Sequence, residues 1–314
     1  MTSEKKNIAL SKAFKDEKEE KFQTYDRSLL GITSIICGII IVVLAILGPL
    51  FLNIINYKTS QSGIWQVLGQ DLANLILLAP ICIVGGILHL KKREAAKYFL
   101  ILPAITLIYT GLSYGIGQEW NHPELLGNYN VEKFFWIYLI LIIGGLIMII
   151  FSLPLFNQSD VPKFNPKTIK IYALSVIVFL VLFAMMWLKE VFEVVQFGDT
   201  VSGSYSATPV VFWVIRYLDL GFTIPLGIIG MYIFITRPQK AYSIMLLFFG
   251  FFTTMIFAVN MMGWIMFFNH DPELQIETLA IFSVLFLLSY GGFYYLIKDK
   301  VRLRSKRFIR NTGK

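Results

Sequence analysis

Two aspartates in apolar surroundings are the residues of this sequence best suited to chemistry. Asp71 and Asp219 each open a predicted membrane span and lie 148 residues apart. A carboxylate within a membrane segment is costly, so it usually faces a cavity or a partner group. Gln70 and Asn74 flank the first aspartate, and Arg216 precedes the second by three residues. We therefore predict an outward-facing polar site formed by these five side chains.

A structural alternative exists for each charged member of this site. An aspartate at a helix start caps the free backbone amides and meets the positive end of the helix dipole. Arg216 either pairs with Asp219 on the same helix face, since three-residue spacing allows it, or bridges Asp71 and Asp219. The sequence leaves these alternatives open.

A second group of polar residues recurs in two loops. Trp-Asn-His-Pro-Glu-Leu at 120–125 returns as Phe-Asn-His-Asp-Pro-Glu-Leu at 268–274. Imidazole and carboxylate ligands suit zinc or a similar divalent metal, so His122, Glu124, His270 and Glu273 form a weak candidate metal site. The alternative is a helix start, with a capping residue, then proline, then an acid. The sequence requires no cofactor.

The composition indicates the kind of element that must position these groups. The chain of 314 residues is 56% hydrophobic and only 15% charged, whereas soluble domains average about 25% charged. A soluble enzyme is therefore excluded. Eight apolar segments are long enough to cross a bilayer as helices, and they span approximately residues 29–55, 69–90, 98–117, 134–156, 169–188, 210–236, 241–267 and 278–297.

The basic residues predict the orientation of these spans. If the N-terminus is cytoplasmic, 24 of the 28 Lys and Arg residues fall on the cytoplasmic side, as positively charged loops usually do. Both termini are therefore predicted to be cytoplasmic, in the cell membrane. The tail at 298–314 is rich in Lys and Arg and is a candidate for anionic lipid headgroups, although such a tail is also typical of an ordinary membrane flank. No nucleic-acid partner is predicted, and the oligomeric state stays open.

Several short matches at nearly one offset predict an internal repeat. Besides the loop motif, Gln-Asp-Leu at 70–72 returns as Leu-Asp-Leu at 218–220, and Gly-Gly at 144–145 returns at 291–292. Each half holds four spans, so the halves have the same orientation and are related by an axis along the membrane normal. The predicted divisions are a charged tail at 1–28, a first repeat at 29–156, a linker at 157–168, a second repeat at 169–297 and a basic tail at 298–314.

These motifs also carry a resemblance. Gln70-Asp71-Leu72, the tyrosines 109 and 114 of the third span running to Asn121, and Leu218-Asp219-Leu220-Gly221 followed by Pro225 resemble an uncharacterised family of bacterial multi-pass membrane proteins. The resemblance implies an architecture of about eight spans. It implies no activity, substrate or cofactor.

Three functions follow as expectations, and transport ranks first. A cavity between two four-helix repeats suits transport of a small solute or ion. The alternatives are a membrane-embedded enzyme or ligand-binding protein with an outward-facing pocket, and a structural or interaction protein. No phosphate loop, nucleophile elbow or zinc-protease motif occurs in the sequence, so no catalytic residue is assigned. A polar path below the aspartates favours transport, whereas a closed apolar floor favours the pocket.

Overall fold

The prediction of eight helices that are long and apolar enough to span a membrane is confirmed. A computed structural model describes the backbone of residues 3–120, 129–198, 205–206 and 208–312, and the side chains of those between 23 and 298. Within these residues, eight helices are long and apolar enough to cross a membrane. They are α1 Ser3–Leu47, α2 Gln61–Leu90, α3 Ala96–Ile116, α4 Val131–Leu155, α5 Pro166–Phe197, α6 Pro209–Thr236, α7 Tyr242–Phe268 and α8 Ile276–Thr312.

The helices that carry the two aspartates begin earlier than their apolar runs. Ser60 caps α2, because its side chain accepts a hydrogen bond from the Gly63 amide. Proline occupies the first position of α6, where its missing N–H is not needed. Asp71 and Asp219 are each the eleventh residue of their helix, about 15 Å from its first residue at helical rise. The interpretation of these aspartates as helix caps is therefore wrong.

Helices α2 and α6 each contain one wider, π-helical turn just before a proline. Asn74–Leu78 of α2 and Asp219–Thr223 of α6 form π-helical turns, and Pro80 and Pro225 lie two residues beyond them. A proline ring clashes with the carbonyl four residues earlier, and a wider turn moves that carbonyl aside. Each π-helical turn therefore keeps the same distance from its proline, although the two prolines lie nine and six residues after Asp71 and Asp219.

Helix α7 is the centre of the bundle. Its most apolar stretch is 72% buried, and no other span exceeds 61%. A Cβ at Gly69 would collide with the backbone of Met262, and one at Gly250 would lie 2.6 Å from Leu102 Cα. Glycine therefore permits the close approach of α2 and α3 to α7.

The bundle has two distinguishable ends. The distal end holds the connections between α1 and α2, α3 and α4, α5 and α6, and α7 and α8. The proximal end holds the other connections, the N-terminal end of α1 and the C-terminal end of α8. At the proximal end, the buried Lys97 ammonium contacts the buried Asp160 carboxylate at 2.6 Å, which joins α3 to the connection after α4. A capping box between Asn157 and Asp160 holds that connection in place.

Candidate functional site: a distal cavity and a closed aspartate

A cavity of about 550 Å³ extends from the centre of the bundle to the distal connections. Six helices line it, namely α2, α3, α5, α6, α7 and α8. Its volume lies within the range of small-molecule sites, which are usually concave and mostly apolar with a few polar groups. Both predicted halves of the chain contribute to its wall.

Asp219 lines this cavity and accepts two hydrogen bonds there. The Tyr109 hydroxyl on α3 donates to Oδ1 at 3.3 Å, and the Trp187 indole N–H on α5 donates to Oδ2 at 2.9 Å. Three helices therefore meet at one carboxylate. Both donors are neutral, so they orient the carboxylate without cancelling its charge.

Arg216 lies on the cavity wall and forms an ion pair with Glu190 of α5. Its guanidinium also lies over the rings of Trp187 and Phe212, 4.2 and 4.0 Å from their centroids. Its predicted pairing with Asp219 and its predicted bridging of both aspartates stay predictions. Glu190 lies just beyond the predicted end of the fifth span near residue 188. Helix α5 continues to Phe197 and ends at Gly198, which has a φ of 63°.

Asp71 lies in the buried core beside the cavity, and its partner Tyr114 and the nearby Tyr57 both line the cavity. The side chain is fully buried, and its Oδ1 accepts a hydrogen bond from the Tyr114 hydroxyl at 2.9 Å. Among the described residues, Oδ2 has no hydrogen-bond partner. Tyr57 and Tyr138 pack against Tyr114, with ring centroids at 5.3 and 6.5 Å from it. Within the part of the chain that the structure describes, Asp71 does not line the cavity.

The five residues of the predicted polar site are thus divided. Gln70, Arg216 and Asp219 line the cavity, whereas Asp71 and Asn74 do not. Gln70 Nε2 donates to Asn74 Oδ1 at 2.9 Å, so one polar pair of α2 reaches from the cavity wall into the buried core.

Two tyrosines of α3 connect these environments. Tyr109 binds Asp219 of α6, and Tyr114 binds Asp71 of α2. Both tyrosines line the cavity, and their offset of about 140° around the helix lets α3 bind both aspartates. Between them, Thr110 also lines the cavity and is 2% exposed, and its hydroxyl has no hydrogen-bond partner among the described residues.

The distal connections form the upper wall of the cavity. Residues 272–275, between α7 and α8, belong to its lining. Partial burial and the neighbouring Asp271 carboxylate raise the pKa of Glu273. The buried Glu119, from the connection after α3, accepts hydrogen bonds from the Val210 and Val211 amides at 3.0–3.1 Å. Glu119 therefore satisfies the first free amides of α6, the helix that carries Asp219.

The prediction of a metal site stays a prediction, because His122 and Glu124 lie outside the described residues. Within residues 3–120, 129–198, 205–206 and 208–312, no group of three or more His, Cys, Asp or Glu side chains is placed to hold a metal. The helix-start alternative is wrong for the second loop. Helix α8 begins at Ile276, and the Asp271 carboxylate instead accepts from the Glu273 amide in a turn.

The proximal side of the cavity is closed by apolar side chains. Of the cavity-lining residues of α7 and α8, those nearest the proximal ends of their helices are Phe251, Phe252, Phe282 and Leu285. Residues 245–254 of α7 are all buried, on every face of the helix. Thr106 and Thr254, whose hydroxyl oxygens lie 2.5 Å apart, join α3 to α7 at this level.

Searches of protein-family models, of curated proteins and of solved structures find no match to this chain.

Proposed function

We propose that this multi-pass membrane protein binds a small, mainly apolar molecule in the distal cavity. The observation that carries the proposal is a cavity of about 550 Å³ whose wall comes from six helices and whose proximal side is closed. A well-formed, mostly apolar cavity with a few convergent polar groups is the usual form of a small-molecule site. The closed floor favours a one-sided binding pocket over an open channel.

We further propose that the pocket faces the outside of the cell. The support is the distribution of basic residues, which assigns 24 of 28 Lys and Arg to the N-terminal tail, the proximal connections and the C-terminal tail. Cytoplasmic segments carry such an excess. Both termini are then cytoplasmic, and the tail at 298–314 is placed to meet anionic lipid headgroups.

A parallel repeat of four helices is the third part of this proposal. The N-cap residues Ser60 and Thr208 are 148 residues apart, as are Asp71 and Asp219. The hydrogen-bonded Thr106 hydroxyl and Thr254 hydroxyl have the same offset. Equivalent residues meet only at a symmetry axis, so a two-fold axis along the membrane normal would pass between α3 and α7.

Transport is the second candidate function, and one observation favours it. The π-helical turns of α2 and α6 interrupt the regular α-helical backbone close to Asp71 and at Asp219. Such turns are frequent at functional sites, and they provide points at which α2 and α6 can bend. Transport requires the apolar floor to open, so the structure would represent one state of a cycle.

Filling the cavity tests the proposal. Val259 lines the cavity, whereas Val181 faces away from the protein. We expect small aromatic alcohols, amines and acids to raise the thermal unfolding temperature of the Val181→Trp variant as they do the wild type, because binding to the folded state stabilises it. The Val259→Trp variant should show no such shift. Equal shifts in both variants would contradict the proposal.

A flux measurement separates the two candidates. The compound that binds most tightly is added to proteoliposomes of the wild type and of Val259→Trp. Uptake by the wild type that the variant lacks would establish transport, whereas binding without uptake would leave the one-sided pocket.

A further inference from the structure

The charges on the cavity wall do not balance. Among the described lining residues, three carboxylates, those of Glu190, Asp219 and Glu273, oppose a single guanidinium, that of Arg216. Arg216 forms an ion pair with Glu190, and its single positive charge offsets one of the three negative charges. The wall therefore keeps two carboxylates in excess, Asp219 in its interior and Glu273 at the distal connection. A mainly apolar cavity with this excess attracts a positively charged ligand.

Aromatic rings surround the inner carboxylate. Trp187 and Tyr109 bind Asp219 directly. Phe183 packs on Trp187 with ring centroids 5.3 Å apart, and Phe251 packs on Tyr109 at 5.8 Å. These four side chains, which we call the aromatic wall, all line the cavity. Ring faces attract cations, and they do so most strongly where water is excluded.

We propose that the cavity ligand is an organic cation, an amine or quaternary ammonium group attached to an apolar body, with its charge at Asp219 and the aromatic wall. This inference rests on the proposed function and specifies its ligand. The apolar body occupies the adjoining apolar part of the cavity, against Phe252, Met255 and Leu285.

The same geometry disfavours other ligand classes. An anion would need Arg216, but this guanidinium already binds Glu190 and covers two aromatic rings. A divalent metal needs several oxygen or nitrogen ligands within reach, and the described residues provide no cluster of three such acidic, His or Cys side chains. A quaternary ammonium needs only one carboxylate and ring faces, which are the groups present.

Three probes of nearly equal shape test the ligand class. Benzyltrimethylammonium carries a positive charge, neopentylbenzene replaces its nitrogen by carbon, and benzylsulfonate carries a negative charge. Affinities are measured by calorimetry on the full chain in nanodiscs of zwitterionic lipid. We expect the cation to bind the wild type at least tenfold more tightly than the neutral probe, which corresponds to about 1.4 kcal/mol.

Two conservative variants assign the preference to a residue. Asp219→Asn keeps the shape of the side chain and an acceptor for Trp187, and we expect it to lose the tenfold preference for the cation. Asp71→Asn is the matched control, because Asp71 lies outside the cavity, and it should retain the preference. If Asp219→Asn does not fold, Phe251→Leu removes one ring of the aromatic wall and should weaken binding of the cation more than binding of neopentylbenzene.

The outcomes separate this inference from the proposed function. Equal binding of all three probes, blocked by Val259→Trp, would overturn the organic cation and leave the pocket intact. A cation preference that survives in Asp219→Asn would overturn the assignment to Asp219. Binding of no probe, or binding that Val259→Trp does not affect, would overturn both proposals.

Discussion

Asp71 and Asp219 occupy the same position in their helices, but only Asp219 lines the cavity. Each is the eleventh residue of its helix, close to a π-helical turn and a proline. Asp71 is fully buried beside three tyrosines, whereas Asp219 has two hydrogen-bond donors and lines the cavity. The position along the helix is therefore not what makes a membrane carboxylate accessible to a ligand.

The neighbouring segments cause this difference. At Asp71, the connection after α1 covers the carboxylate, since a Cβ at Gly48 would lie 2.8 Å from Oδ2 and Tyr57 packs against Tyr114. At Asp219, helix α5 provides Trp187 and Glu190, and the space beyond them stays open as the cavity. We interpret Asp71 as a structural carboxylate and Asp219 as the ligand-binding one.

The largest expected effect comes from two glycines, each two residues from an aspartate. Gly69→Ala should lower the free energy of unfolding by about 3 kcal/mol, because its Cβ would collide with the Met262 backbone, which cannot move aside like a side chain. Gly221→Ala meets no atom within 4 Å and should raise stability by about 0.5–1 kcal/mol, since alanine favours helix. Equal effects in denaturant unfolding would contradict the different packing of the two regions.

Two tyrosine hydroxyls provide the next test. Tyr114→Phe removes the hydrogen bond to Asp71, whose other oxygen has no partner among the described residues, and should cost about 1–3 kcal/mol of stability. Tyr109→Phe should cost less, about 1 kcal/mol, because Trp187 still donates to Asp219. A larger loss for Tyr109→Phe in the same unfolding assay would reverse our ranking of the two sites.

The capping carboxylate of α6 has a smaller expected effect, confined to the Asp219 region. Glu119→Ala leaves the Val210 and Val211 amides without their acceptor and should cost about 1 kcal/mol, as loss of a helix cap does. Glu119→Gln keeps an amide oxygen and should retain most of that stability. If both variants unfold at the wild-type temperature, Glu119 does not hold α6.

The smallest effect concerns pH at the rim of the cavity. Burial and Asp271 raise the pKa of Glu273, so this carboxylate becomes neutral at a higher pH than an exposed glutamate does. Affinity for benzyltrimethylammonium should therefore fall as the pH is lowered through that pKa. The Glu273→Gln variant should lack this part of the decrease in a calorimetric pH series. An unchanged pH profile in the variant would exclude a role for Glu273 in attracting the cation.

The sequence predicted the helices well, because continuous apolar runs are sufficient to identify membrane spans. Their ends were less accurate. Helix α2 begins at Gln61 rather than near Gly69, since Ser60 caps a first turn that is polar. Because the helix begins ten residues before Asp71, this aspartate lies in the interior of the helix and does not cap it.

The partners of the aspartates could not be predicted from spacing. Trp187 and Glu190 lie on α5, and their contacts with Asp219 and Arg216 depend on how two helices pack. The sequence did carry a signal for the position of Glu190. Residues 189–197 contain no glycine or proline, and Gly198 is the first residue that is typical of a helix end. The sequence also treated Asp71 and Asp219 as equivalent, and only the neighbouring segments reveal their difference.

A structure of the protein with benzyltrimethylammonium bound tests the central claim most directly, because it shows which aspartate the cation approaches. We predict that the ammonium group lies against the Asp219 carboxylate and the aromatic wall, with the phenyl ring toward Phe252 and Met255. We also predict that the region around Asp71 is unchanged. An ammonium group beside Asp71, or bound outside the cavity, would contradict this account.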